Sequence, residues 1–364
     1  MALILTAASD DDGRRLDRIL RKALEDLPLS AIYRLLRKGA VLVDGKTAPA
    51  ELRIRKGQTI SIDRTAVETE PKARRQGISR GLKGKPEILF EGAGLLILNK
   101  PAGLTVHGRE SLEDQVLAWL EGKREPSLSF RPGPLHRLDK PSSGIIVFST
   151  NLEGARLFSA MMRKRMIKKQ YLCIIEGLIE KTEIWQDELF RDKTLKKTFT
   201  ISADCQDKSP GKTALTKVTP LMGNAIATLI LAEIETGRTH QIRAQTASRG
   251  HPLLGDIKYA QKTHARRRAC SFDNGNMACP QEKVPPSEIW PGGAQKTHAR
   301  RRACSSSERS EKNGFFLHAW RMEFLAPLQG PCAGLPHLIE APLPEKFQRK
   351  AAELFGEDSL RLFD

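Results

Sequence analysis

RPGPLHRLDKPSSGIIVFST, residues 131–150, joins a turn segment to a strongly apolar run. Pro141 cannot continue a helix, because it has no backbone N–H group and its ring clashes with the preceding turn. Residues 145–148, IIVF, form a continuous apolar run that is typical of a strand buried on both faces. The pattern therefore predicts that Asp139 lies on a stiff loop at the mouth of a core strand.

Asp139 allows two interpretations on these residues alone. A turn aspartate commonly caps a neighbouring turn, here at Ser142 and Ser143, or pairs with a nearby cation such as Arg137. Alternatively, a carboxylate that is flanked by guanidinium groups can serve as a nucleophile. The loop by itself leaves both interpretations open.

Four blocks of motif residues follow one another along the chain. They are NKPAGLTVHG at 99–108, HRLDKPSSG at 136–144, KQYL at 169–172 with Gly177, and TGRTHQIR at 236–243 with GHPLLGD at 250–256. Together they resemble the motifs of the RluA-type pseudouridine synthases, which convert chosen uridines in structured RNA to pseudouridine. One short motif would be weak evidence, whereas four ordered blocks across most of the chain are specific.

The resemblance implies roles for three catalytic residues. Asp139 is expected to attack or stabilise the sugar or the ring, and Arg243 to hold that carboxylate charged. Tyr171 is expected to stack on the loosened uracil and to help remove the C5 proton. On the residues alone, Arg243 could equally form a structural ion pair and Tyr171 could be an ordinary strand tyrosine. His240 is expected to be a hydrogen-bonded loop residue, because the reaction needs no imidazole.

Further residues are expected to contact RNA. Arg137 has a planar head that suits it to hold the flipped state of the uridine, while Leu253 and Leu254 would form an apolar pocket wall. The other expected contacts are basic residues in two helical segments: Arg34, Arg37, Lys38, Arg163, Lys164 and Arg165. A basic run of this kind can also be an ordinary solvated helix face.

The chain divides into segments of different composition. Residues 13–66 read as two short basic helices and a hairpin, which resemble the S4 RNA-binding domain, and residues 67–86 read as a basic linker. Residues 87–364 are expected to form the catalytic domain. Many strands with few intervening helices predict an α+β domain on a mixed, mainly antiparallel sheet, in agreement with the family's fold.

Residues 260–313 depart from the family pattern. The segment AQKTHARRRACS at 260–271 recurs at 294–305, and the sequence between the copies is poor in apolar residues. We expect a surface insertion, either a neutral loop or an arginine-rich arm that orders on RNA. No metal site is expected, because its cysteines and histidines lack standard zinc spacing.

Composition limits the class of protein. The chain carries 60 Lys and Arg against 43 Asp and Glu, a net charge of +17, and this excess favours a polyanionic partner such as RNA. No apolar stretch approaches the roughly 20 residues that cross a bilayer. Six cysteines without a C-x-x-C pair favour a reducing cytoplasm. The isomerisation needs neither redox change nor energy input, so no cofactor is expected, and we expect a monomer.

Large-subunit (23S) ribosomal RNA is the favoured target. The S4-like module argues against a minimal enzyme that acts on tRNA alone, and the VHG ending of residues 99–108 resembles the RluC-like branch. A tRNA-directed synthase of the same family is an alternative. A non-catalytic RNA-binding or ribosome-assembly factor would predict damage to the site, yet Asp139, Tyr171 and Arg243 are all present. An aspartate-based glycosidase would need a second carboxylate, for which Asp256 is the candidate.

Overall fold

The computed structural model describes residues 2–63, 65, 84–201, 211–260, 314–325 and 334–363. Most of the expected linker and nearly all of the expected insertion therefore lie outside the described residues. Among the helices of the described part, none is long and apolar enough to cross a membrane.

The N-terminal part of the chain is a four-stranded antiparallel sheet covered by two helices. In spatial order the strands are β1 (Ala2–Thr6), β4 (Thr59–Asp63), β2 (Val41–Val43) and β3 (Lys46–Thr47). The helices are α1 (Leu16–Ala23) and α2 (Leu29–Arg37). Leu16, Ile19 and Leu20 of α1 are fully buried, as the helical spacing of these apolar residues predicts. The identity of this unit as an S4 domain stays a prediction.

Asp11 joins the N-terminal unit to the rest of the protein. Its fully buried carboxylate accepts hydrogen bonds from the Ser127 and Ser129 hydroxyls at 2.8 and 2.6 Å, and from the backbone N–H groups of Leu128 and Ser129 at 3.0 and 2.9 Å. Burial opposes ionisation, but these hydrogen bonds and one from the Ala8 N–H lower the pKa of Asp11. The two units are thus in direct contact.

We expect Asp11→Ala to lower the free energy of unfolding by about 1–3 kcal/mol, because it leaves buried donors without an acceptor. Urea denaturation measures this loss, and amide hydrogen exchange at Leu128 and Ser129 should become faster. Asp12→Ala is the control, because Asp12 is exposed and, among the described residues, its carboxylate accepts a hydrogen bond only from the Lys56 N–H at 3.0 Å. Equal effects of the two substitutions would contradict the prediction.

The second sheet has eleven strands and forms the centre of the protein. In chain order these are β5 (Ile88–Gly92), β6 (Leu95–Lys100), β7 (Gly133–Pro134), β8 (Ser143–Ser149), β9 (Ile167–Glu176), β10 (Glu183–Asp192), β11 (Lys197–Ile201), β12 (Lys212–Gly223), β13 (Ala227–Ile234), β14 (Leu317–Phe324) and β15 (Leu338–Glu340). The main spatial order is β11-β10-β12-β13-β9-β14-β8-β6-β5, with β15 on β14 and β7 on β8. Among the described pairs only β8 and β14 run parallel. The predicted mixed, mainly antiparallel sheet of an α+β fold is confirmed.

In the described part of the chain, four helices accompany this sheet: α3 (Leu112–Leu120), α4 (Leu152–Arg163), α5 (Gln241–Ser248) and α6 (Glu345–Phe355). Phe158 and Met161 of α4 face the core. That helix ends at Arg163, and Arg165 has a φ of 55° in the left-handed region, so Lys164 and Arg165 lie in a turn.

Every residue of β8 is buried, which confirms the strand expected behind the Asp139 loop. Gly144, with a φ of 102°, is required there, because a Cβ atom would overlap the backbone of Ala319 in β14. The parallel pairing of β8 with β14 starts at this residue and at Ser143. The loop that carries Asp139 is therefore held at the end of a strand in the interior of the sheet.

Candidate active site

One pocket is lined by all three residues that the sequence predicts to be catalytic. Asp139 comes from the loop before β8, Tyr171 from β9 and Arg243 from the first turn of α5, and each lines this pocket. Arg137, whose side chain is exposed, lies at the same pocket. The catalytic roles of these residues stay predictions.

Arg243 lies between two carboxylates. Its Nη1 donates to Asp139 Oδ2 at 2.7 Å, while Nε and Nη2 donate to the two oxygens of Asp256 at 2.7 and 2.9 Å. The side chains of Arg243 and Asp256 are only 7% and 1% exposed. Burial opposes the charged form, but the hydrogen bonds and charges of Asp256 and Asp139 outweigh it and raise the pKa of Arg243. The guanidinium is therefore a fixed cation beside Asp139.

Two aromatic rings hold the same guanidinium in place. Its carbon lies 4.8 Å from the centre of the Tyr259 ring and 4.4 Å from that of Phe315. Such cation–π contacts strengthen when water is excluded. Asp256, which the sequence suggested only as a candidate second acid, instead fixes the orientation of Arg243. The GD motif at 255–256 identified Asp256 as a motif residue, but it gave no indication that Arg243 is the partner of its carboxylate.

Tyr171 lies on β9 between small neighbours. Its cross-strand partners are Ala232 on β13 and Ala319 on β14, and the residue is 8% exposed. Burial, with smaller contributions from Cys173 and from the charge of Asp139, raises the pKa of Tyr171. The phenol is therefore neutral at ordinary pH and a poor proton acceptor, which favours the stacking role over removal of the C5 proton.

The apolar wall of the pocket differs from the expected one. Leu253 is fully buried in the main core, and Leu254 packs in a separate cluster with Leu172 and Ile174. Neither lines the pocket, because the backbone of this segment pairs with the end of β9: Leu253 forms a bridge with Ile175 and the Leu254 N–H donates to Ile174. The pocket's apolar residues are Leu138, Ile234, Ile242 and Leu317.

His240 lies closer to Asp139 than the sequence suggested. Its Nε2 is 3.7 Å from Asp139 Oδ1, and its Nδ1 is 2.9 Å from the Tyr259 hydroxyl. The residue caps α5 in a left-handed conformation, with φ 53° and ψ 28°. Burial, partly offset by the charge of Asp139, lowers the pKa of His240 to about 4. His240 is hydrogen-bonded, as expected. It also lines the pocket of Asp139, and its imidazole is uncharged at neutral pH.

Lys100 connects the NKPAG block to the Asp139 loop. Its fully buried ammonium donates to the carbonyls of Pro101, Leu104 and Lys140 at 2.9, 2.8 and 3.2 Å. Burial lowers the pKa of Lys100 to about 7, with the charge of Asp139 acting in the opposite direction. The hydrogen bond to the Lys140 carbonyl holds the backbone in place directly after Asp139.

The other expected RNA contacts lie at the surface. Arg34, Arg37 and Lys38 are exposed at the end of α2, and Arg163 and Lys164 are exposed at the end of α4. Arg165 forms an ion pair with Glu235 at 2.8 Å. Their contact with RNA stays a prediction. Within the described ranges, no group of three or more His, Cys, Asp or Glu side chains could hold a metal ion.

Buried histidines predict a pH dependence of stability. His318 is fully buried between the Ser143 hydroxyl and the Ala341 carbonyl, and burial lowers its pKa to about 4 from an ordinary 6.5. Below pH 6.5 the unfolded chain takes up a proton that the folded protein excludes, so stability should fall as the pH falls from 6.5 towards 4. His240 acts in the same direction.

Urea unfolding at pH 7 and pH 5 measures this effect. His318→Gln removes the titrating group and should show a smaller loss between the two pH values than the wild type. An equal loss in both proteins would show that His318 does not contribute.

Comparisons with known proteins identify the family of this chain. Residues 94–248 match the family model for RNA pseudouridylate synthase. Ribosomal large subunit pseudouridine synthase C of Salmonella typhi is 32% identical over 71% of this chain and 80% of its own length. The proteins of that name from Vibrio cholerae and Escherichia coli K12 are 32% and 31% identical, over 70% and 72% of this chain and 79% and 82% of their own lengths.

Human RNA pseudouridylate synthase domain containing 4 is a solved structure with a TM-score of 0.49 and 20% identity, over 74% of this chain and 92% of its own. Because its structural similarity and sequence identity are this low, this structure does not by itself assign the family. The relatives meet this chain over more than two thirds of both lengths, and the matched region contains Asp139, Tyr171 and Arg243. The chain belongs to the RNA pseudouridylate synthase family.

Proposed function

We propose that this RNA pseudouridine synthase isomerises uridines of large-subunit ribosomal RNA, with Asp139 as its catalytic carboxylate. The observation that carries the assignment of the site is the 2.7 Å hydrogen bond between Arg243 and Asp139, in a pocket that Tyr171 also lines. The choice of RNA rests on the relatives, which are named for the large ribosomal subunit and are up to 32% identical.

The reaction breaks the bond from C1′ to N1, turns the uracil within the site and joins C1′ to C5. N1 then carries a proton and C5 has lost one, so atoms and electrons balance without a cofactor. Asp139 attacks the sugar or the ring, and Arg243 stabilises its negative charge in a pocket with apolar walls. Tyr171 provides a flat, neutral surface against which the uracil can turn.

The uridine must leave its base stack before it reaches Asp139. Arg137 lies at the pocket and is exposed, which suits a side chain that occupies the space left by the flipped base. The N-terminal unit adds the exposed cations of α2, which support a role in binding RNA. A cytoplasmic location and a monomeric state stay predictions.

The experiment that tests this proposal maps pseudouridines in ribosomal and transfer RNA from cells with and without the gene. We expect at least one site in large-subunit rRNA to disappear and to return with the wild-type gene but not with Asp139→Asn. Loss of sites in tRNA alone would replace the proposed substrate by the tRNA alternative. Loss of no site would overturn the proposed activity and favour a ribosome-assembly role.

A further inference from the structure

Lys169 is a buried cation that neither the catalytic assignment nor the surface patches explain. It belongs to β9 and is 6% exposed. Burial lowers the pKa of Lys169. Its ammonium forms no hydrogen bond or ion pair with a described residue and is not among the fully buried polar atoms, so it lies at an opening of the protein interior. Buried charges are normally paired, because transfer of an isolated ammonium out of water is costly. The ammonium of Lys169, which has no such partner among the described residues, therefore needs an explanation.

The side chain of Lys169 lies on the face of the sheet that carries the active site. Residues two apart in a strand point to the same face, so Lys169 shares the face of Tyr171. Its cross-strand partner on β13 is Ile234, and both Ile234 and Tyr171 line the pocket of Asp139. Lys169 is therefore placed one position from the pocket along β9.

Two motif loops border its ammonium. A Cβ atom on Gly237 would lie 3.8 Å from Lys169 Nζ, so the ammonium lies next to that loop. The charge of Lys169 also acts on His136, whose pKa is lowered to about 3 mainly by burial and further by that charge. The residues that follow these two in the chain, Arg137 and Arg238, both line the pocket.

The carboxylates of the region do not neutralise these three cations. Asp139 and Asp256 are bound to Arg243. Neither Arg137 nor Arg238 forms an ion pair with a described residue, and Arg238 Nε donates to the Thr213 carbonyl at 2.9 Å. Gln170, on the opposite face of β9 from Lys169, binds Glu233 instead. The loops beside the pocket thus carry an uncompensated positive charge.

We propose that Lys169 is a phosphate-binding residue that, with Arg238, holds the RNA backbone next to the flipped uridine, while Arg137 occupies the space left by the base. The inference rests on the action of the protein on RNA. A phosphate supplies an acceptor for this ammonium, and the Arg238 guanidinium provides donors that match phosphate oxygens. Phosphate contact at this place fixes the register of the strand and leaves the chemistry to Asp139.

The test uses the full chain and the rRNA fragment in which the wild type forms pseudouridine. Binding is measured in the Asp139→Asn background, so that the RNA is not turned over, at several salt concentrations. Lys169→Met should weaken binding by on the order of tenfold and reduce the slope of log affinity against log salt by about one. Lys169→Arg should restore both, because it keeps the charge.

Lys168→Met is the matched control. Lys168 is the preceding residue of β9, lies on the opposite face and pairs with Glu323 at 3.4 Å. Lys168→Met should leave the slope of log affinity against log salt unchanged. With Asp139 intact, Lys169→Met should raise KM while kcat stays within about twofold, since phosphate contacts contribute to binding rather than to the chemical step.

An unchanged salt slope in Lys169→Met would overturn the proposal. So would a fall in kcat at constant KM with an altered pH profile, which would assign Lys169 to proton transfer. If Lys169→Met does not fold, Lys169→Gln provides the same comparison with a polar, uncharged side chain. A wild type that forms no pseudouridine in any rRNA fragment would refute the proposed function itself, whereas these variant results concern Lys169 alone.

Discussion

Asp139→Asn is expected to abolish pseudouridine formation while RNA affinity stays within a few fold of the wild type. The amide keeps the size of the carboxylate but is a far weaker nucleophile and has no negative charge to share with Arg243. We expect turnover to fall at least ~1000-fold. Affinity should survive, because it comes mainly from phosphate contacts.

Release of tritium from an RNA transcript labelled at C5 of uridine measures turnover directly, since that position loses its hydrogen in the reaction. Asp358→Asn is the control, because this side chain is 78% exposed and pairs only with Arg361 at the surface. Retention of more than a few per cent of wild-type turnover by Asp139→Asn would show that the nucleophile lies elsewhere.

Arg243→Met should cost both activity and stability. It leaves Asp256, 1% exposed, and Asp139, 15% exposed, without the cation that each contacts at 2.7 Å. Removal of one partner from a buried ion pair typically lowers the free energy of unfolding by about 3–5 kcal/mol. Turnover should be lost as well, because Asp139 no longer has a fixed neighbour of opposite charge.

Urea denaturation of Arg243→Met measures the stability loss. Arg349→Met is the matched control, because Arg349 pairs with Glu345 at 3.6 Å on an exposed helix surface, where such pairs contribute less than about 1 kcal/mol. A loss below about 1 kcal/mol in Arg243→Met would mean that the carboxylates relax or protonate at little cost. Arg243→Lys should be only partly effective, since an ammonium cannot donate to two carboxylates with the geometry of the guanidinium.

Regular elements with a clear apolar period could be read from the sequence. The buried face of α1 follows from helical spacing, and β8 follows from its unbroken apolar run. Elements without such a period were missed. The helix α5 buries Gln241 and Gln245, which hydrogen-bond to neighbouring strands, so its pattern does not resemble an amphipathic helix.

The active-site pocket is partly a matter of sequence and partly of tertiary structure. The motif blocks by themselves nominated Asp139, Tyr171 and Arg243, because residue types in a specific order carry the family resemblance. The ion pair between Arg243 and Asp139 joins residues 104 positions apart. Local patterns contain no information about which distant side chains meet, so the position of His240 beside Asp139 and the function of Asp256 could not be predicted.

The same reason explains the remaining differences. Leu253 looked like a pocket wall from its place in the GHPLLGD block, but the pairing of its backbone with β9 turns it into the core. Lys169 was only the first residue of the KQYL block in the sequence, yet the alternation of β9 places it inside the protein and Lys168 outside. The sequence by itself determined the family, the fold class and the candidate catalytic residues. Only the tertiary structure decided which charges are paired, since pairing depends on distances between strands and loops that are remote in the chain.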